Sequence, residues 1–189
     1  MEKASGLSKG SSQFYQPRPG RHDQGVQHVQ HHQCATPPAW LQVFFGGLII
    51  AIADTIFATT LWFGWSMPGL IKLFQTIAVG VLGKASFDGG IPTALLGAGL
   101  HLFMASMFVL TYTLVSRRTP ELLRKPFVYG PLYGMLLYVI MNFVVLPLSR
   151  VGGTPSLKHI NWIILSIVAH MVFGVVCVQF ARRALRRQG

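Results

Sequence analysis

The sequence predicts an all-α membrane protein with four transmembrane helices and one amphipathic helix on the periplasmic surface. Four apolar runs, at about 39–64, 92–115, 127–148 and 160–181, reach the roughly 20 residues that a helix needs to cross about 30 Å of hydrocarbon. Only 11% of the 189 residues are charged and 51% are hydrophobic, whereas a soluble domain carries about 25% charged residues. The basic residues sit just outside the apolar runs, as topology signals do, and form no continuous patch despite a net charge of +11. The expected partner is therefore the lipid bilayer and not nucleic acid.

Residues 1–38 are rich in Gly, Ser, Gln, Pro and His and contain the breakers PRPG and TPP. Such a segment cannot bury enough apolar surface to order itself, and it reads as a disordered polar tail. It contains no apolar core of a cleavable signal peptide, so the first run is expected to act as an uncleaved signal anchor. His28, His31, His32 and Cys34 lie close together in HVQHHQC. Nothing there fixes ligand geometry, and the tract reads as solvated chain, not as a metal site. Cys34 in the tail and Cys177 in the last run make no disulfide framework and carry no information on compartment.

Between the first two runs, MPGLIKLFQTIAVGVLG (67–83) puts Leu70, Phe74, Ile77 and Val81 on one helical face and Lys72, Gln75 and Thr76 on another. It is expected to lie in the interface. A fifth crossing there would separate the SRRTPELLRKP loop from the C-terminal RRALRR, against the preference of Lys and Arg for the cytoplasm. Four crossings place Arg18, Arg21, Arg117, Arg118, Arg124, Lys125, Arg182, Arg183, Arg186 and Arg187 inside. Lys72, Lys84, Arg150 and Lys158 then lie outside. Trp40, Trp62, Trp65 and Trp162 fall near the span ends, at headgroup level. Both termini are expected in the cytoplasm, with 39–183 as the membrane domain and 184–189 as a basic tail. In YGPLYG, Pro131 is expected in the first turn of the third span. PLSRVGGTP (147–155) reads as a tight turn, because no strand precedes it and no helix N-terminus directly follows.

Four polar residues interrupt these runs. Gly46 precedes Asp54 by eight residues, as Gly134 precedes Asn142, and each pair is followed by a helix with a histidine. His101 shares a face with Gly97 and Ala105, and His170 shares one with Ser166 and Gly174, small residues that admit a neighbouring helix. The pattern suggests a tandem repeat of two-helix units about a pseudo-two-fold along the membrane normal. At about 1.5 Å per residue, Asp54 and His101 lie about 20 Å from the cytoplasmic side, Asn142 about 22 Å and His170 about 17 Å. The four form one layer, and Asp54 and His101 are expected to touch, Gly97 and Ala105 admitting the first span. Polar side chains at such depth face the bundle interior.

Three roles fit this cluster: interhelical hydrogen bonding, a proton- or small-solute-linked function, and electron transfer through a haem held by His101 and His170. No Ser, Cys or Lys has a base and an orienting partner at hand, so no catalytic residue is expected, the chain does not read as an enzyme, and no resident cofactor or metal is expected outside the haem alternative. Gly46, Gly47 and Ala51 offer a close-packing face to a second copy. A structural or assembly role within another membrane complex is the remaining kind of association.

HLFMASMFVLTYTLVSRRTP (101–120), PLSRVGGTP, and AHMVFGVVCVQFARR (169–183) together resemble the YagU-like family of bacterial inner-membrane proteins, a family without an assigned function. The specific elements are the histidine early in the second span with Tyr112 eleven residues on, and the Pro-Leu turn before a histidine in the fourth. The resemblance covers mainly 92–183 and implies a bacterial, multi-pass inner-membrane protein. It supplies neither a catalytic residue nor a substrate, and the His-rich tail lies outside it.

Overall fold

The computed structural model of the chain describes residues 38–150 and 160–186, and every element within them is helical. α1 (Ala39–Ala58) continues as a π-helical turn, Thr59–Phe63. α2 (Met67–Leu82) ends in a 3-10 turn, Gly83–Phe87, and leads to α3 (Gly90–Arg118). After the 3-10 turn Pro120–Leu123 comes α4 (Pro126–Ile140), prolonged by a π-helical turn, Met141–Val145, and a last α turn, Leu146–Leu148. α5 spans Ile160–Leu185. With their extensions, all five helices are long and apolar enough to cross a membrane, as in a multi-pass membrane protein. Their outward faces fit an apolar solvent: Leu95, Phe103, Leu132 and Val172 are all more than half exposed.

The boundaries follow from local chemistry. α1 begins after Pro38, and its extension ends at Gly64, whose N–H reaches the Thr59 carbonyl at 2.8 Å with φ +73, a backbone angle that favours glycine. Ser66 caps α2 by accepting the Gly69 N–H at 3.1 Å, with Pro68 in the first turn. Several boundaries differ from expectation, and α3 extends beyond 92–115 at both ends. α4 begins at Pro126, so Pro131 sits in its second turn, where the Phe127 carbonyl loses its usual donor. α5 continues past 181, so Ala184 and Leu185 belong to the helix and not to a basic tail. Arginine ends the apolar run but not the helix, because Arg182 turns back onto the carbonyls of Leu123 and Arg124. The tail 1–37 with its histidines and Cys34, the end of PLSRVGGTP from Val151, and residues 187–189 lie outside the described residues.

The helices meet through small residues. Gly47 of α1 lies against the Ser106 backbone of α3, and Gly46 against Val109 of α3 and Phe180 of α5. α4 and α5 cross most closely, with Gly130 against Val175, Gly134 against the His170 carbonyl, and Gly174 against the Gly130 carbonyl. A Cβ on any of these three would overlap backbone. Ala51, Ala105, Val109, Cys177 and Ala181 fill the core between α1, α3 and α5. Gly46, Gly47 and Ala51 are thus buried inside one chain and leave no face for a second copy, because α3 and α5 already occupy it. Gly97 also acts otherwise than expected: it admits the Phe74 carbonyl of α2, not α1.

α2 is tied down by polar contacts. The Gln75 amide donates to the Gly90 carbonyl (3.1 Å) and to Thr93 Oγ1 (3.4 Å), while Ser86 Oγ donates to the Gln75 carbonyl (2.9 Å). Gly69 packs on the Phe63 and Gly64 carbonyls, and the Gly80 carbonyl accepts the Arg150 N–H at 3.4 Å.

Replacing Gly174 with Val is expected to destabilise the protein by about 1–3 kcal/mol, as overpacking against rigid backbone does. Gly99 lies exposed in α3, and a methyl group added there would meet nothing within 4 Å. Gly99→Ala should instead gain up to about 1 kcal/mol of helix propensity. Thermal unfolding of both variants in detergent measures the contrast; equal shifts would mean that the α4–α5 crossing is not tight.

Candidate functional site

The antiparallel contact of α1 with α3 sets the site. With Gly47 on Ser106, the two helices run close enough for Asp54 Oδ2 and His101 Nε2 to stand 3.5 Å apart. The same nitrogen lies 3.2 Å from the Ala51 carbonyl, which also accepts from Thr55 Oγ1 at 2.7 Å. A carbonyl can only accept, so Nε2 of His101 carries a proton in this geometry and Nδ1 is the remaining ring nitrogen. Both side chains are largely covered, 18% exposed for His101 and 31% for Asp54.

His170 reaches the site from α5. Its Nδ1 donates to the Ser166 carbonyl one turn back (2.8 Å), so the neutral ring has the opposite tautomer to His101. Tyr138 meets the ring edge-on at 5.5 Å between centroids, and Phe173 lies at 5.7 Å. Both imidazoles lie within coulombic reach of the Asp54 carboxylate. Asp54, His101 and His170 therefore share one region of the bundle.

Asn142 does not join them by hydrogen bonding. Its amide donates to the Tyr138 carbonyl at 2.9 Å within its own helix, in the π-helical turn. The reason is register. In the first hairpin His101 faces Asp54, eight residues beyond Gly46; in the second, the His170 backbone faces Gly134 itself. Eight residues correspond to about 12 Å along a helix, so Asn142 lies well beyond His170. The marker residues of the suggested repeat do not occupy equivalent places. Ser166 contributes a carbonyl to His170, while Gly174 and Ala105 are packed in the helix contacts.

Residues outside the expected set pack farther along the bundle, toward the turn Pro120–Leu123. Tyr133 donates its hydroxyl to the Phe108 carbonyl and Tyr112 to the Leu122 carbonyl, each at 2.9 Å, with the rings 4.9 Å apart. Beside His101 a groove of about 330 Å³ opens on the flank of α1 and α3, lined by Leu48, Ile52, Ile56, Phe74 and Leu102. The signals for Gly130 and Tyr138 were present: Gly130 and Gly134 form a G-x-x-x-G pair, and Tyr138 follows Gly134 by one turn. Among the described residues no three His, Cys, Asp or Glu side chains converge as a metal site. A haem between the two histidines needs a bare nitrogen from each ring; with His101 Nε2 turned to Ala51 and Asp54 and His170 Nδ1 turned to Ser166, those nitrogens are Nδ1 of His101 and Nε2 of His170. Comparison of the chain with family models, curated proteins and solved structures finds no match.

Asp54→Asn and His101→Gln should each lower thermal stability in detergent, and the double variant should lose less than the sum by about 1 kcal/mol. Strict additivity would mean that the two side chains do not interact. The purified wild-type protein, titrated with haem, is expected to leave the broad absorption of free haem unchanged; a sharpened, shifted Soret band lost in both His101→Ala and His170→Ala would assign the two histidines to haem.

Proposed function

We propose that this is a non-enzymatic bacterial inner-membrane protein, related to the YagU-like family, in which Asp54 and His101, with His170 nearby, form a proton-binding cluster linked to proton or small-solute movement. The observation that carries the reading is the 3.5 Å approach of Asp54 to His101 inside otherwise apolar helices. Ionisable groups at such positions are rare, and an imidazole ordinarily changes charge near neutral pH. The groove beside His101 offers a way in from the flank of the bundle.

Four crossings, with α2 lying on the periplasmic surface, suit the contacts best. α2 touches Phe63 and Gly64 at the end of α1, Gly90 at the start of α3, and Arg150 just after α4. These partners cluster at one end of an antiparallel bundle, and a helix running the full length would bring one of its ends to the other side. Arg117, Arg118, Lys125 and Arg183 gather at the opposite end, which favours cytoplasmic termini.

A reporter inserted near Ser86 is expected to be periplasmic, and reporters after Gly189 or within 119–126 cytoplasmic; a cytoplasmic Ser86 reporter would make α2 a fifth crossing. Trp62 and Trp162 pack at 6.3 Å between ring centroids and give an optical signal for rearrangement. Their fluorescence should change between about pH 5 and 8 in the wild type and stay flat in His101→Gln. A signal insensitive to pH in both, with coupling intact, would assign the pair to holding α1 and α3 together.

A further inference from the structure

At the far end of the bundle from α2, a second feature stands apart from the Asp54–His101 cluster. A pocket of about 350 Å³ is lined by Leu123, Arg182, Leu185 and Arg186, a volume in the range of small-ligand sites. Its walls are held in place. Arg182 donates through Nε and Nη2 to the carbonyls of Leu123 and Arg124, and Tyr112 holds the neighbouring Leu122 carbonyl at 2.9 Å. The turn Pro120–Leu123 is thereby fastened to both α3 and α5.

The charge around this pocket is one-sided. Among the described residues, Glu121 is the one carboxylate on this side, and it is paired with Arg124 at 3.0 Å. Among the described residues Arg182 and Arg186 consequently meet no carboxylate, and Arg183 lies over the Phe180 ring at 5.0 Å. The Arg186 guanidinium, with the donors of Arg182 not turned to the two carbonyls, lines one opening and fits an anion with several acceptor oxygens. Leu123 in the turn Pro120–Leu123 and Leu185 in the last turn of α5 give the pocket an apolar wall against which lipid methylenes can lie.

We propose that this pocket binds an anionic phospholipid, with its phosphate on Arg182 and Arg186 and its first methylenes on Leu123 and Leu185. Charge complementarity supplies the attraction, and basic pockets at the ends of membrane helices hold lipid headgroups in this way. The leucine walls favour a lipid over free phosphate, which has nothing to place against them.

Arg186 is the residue to vary, because it is exposed and takes no part in fastening the turn. The full chain, purified in detergent and offered equal amounts of phosphatidylglycerol and phosphatidylcholine, is expected to retain phosphatidylglycerol preferentially when analysed by native mass spectrometry. Arg186→Gln should reduce that retention about fivefold, the effect of losing one arginine near an anionic headgroup. Arg118→Gln, the same charge change outside the pocket, should leave it unaltered. Equal retention of the two lipids, or equal loss in the two variants, would overturn the proposal. So would displacement of the lipid by inorganic phosphate at matching concentration, which would assign the arginines to a free anion.

Discussion

The close approach of α1 to α3, where Gly47 rests on the Ser106 backbone, is the contact on which the candidate site depends. With a larger side chain at 47 the helices stand farther apart, and Asp54 no longer reaches His101. In lipid this matters more than in water, because apolar surface gains little by leaving hydrocarbon and helix association rests on fit and on hydrogen bonds. The His101–Ala51 hydrogen bond and the Asp54–His101 contact are the polar counterpart of that fit. Small residues and the charged pair therefore act as one device: the first sets the distance and the second uses it.

The second hairpin follows the same physics with a different result. Gly130, Gly134 and Gly174 bring α4 and α5 into backbone contact, and His170 lies at that crossing with its Nδ1 already satisfied by Ser166. One histidine thus turns its proton toward a carboxylate on another helix and the other toward its own helix. In the neutral state this leaves Nδ1 of His101 and Nε2 of His170 as acceptors. A cluster with two acceptors and a carboxylate can take up protons, which gives the proposed function its chemical content.

The membrane class and the helix positions were legible because they rest on long apolar runs, whose ends differ by only a few residues from those of the helices. Counting residues from the span ends also brought Asp54 opposite His101, and the two meet at 3.5 Å. Rotation about the helix axis and the register between helices were not legible. Counting put Asn142 level with His170, yet the α4–α5 crossing slides them apart, since its register is set by three glycines and not by polar groups. Gly97 misled for the same reason: a small residue announces that something approaches but not which helix, and here it is α2. Gln75, Ser86 and Thr93, which fasten α2 to α3, bear no motif at all and are joined only by the fold.

The tautomer of His101 is the most direct measure of this arrangement, because it records which ring nitrogen meets Ala51 and Asp54. Nitrogen-15 NMR of the full chain labelled at histidine, in detergent micelles at mildly alkaline pH, reads it, with His101→Gln identifying the signal. The expected result is a neutral ring protonated at Nε2, with its resonances displaced by Asp54→Asn. A ring protonated at Nδ1, or one indifferent to Asp54→Asn, would contradict the pairing from which the proposed function follows.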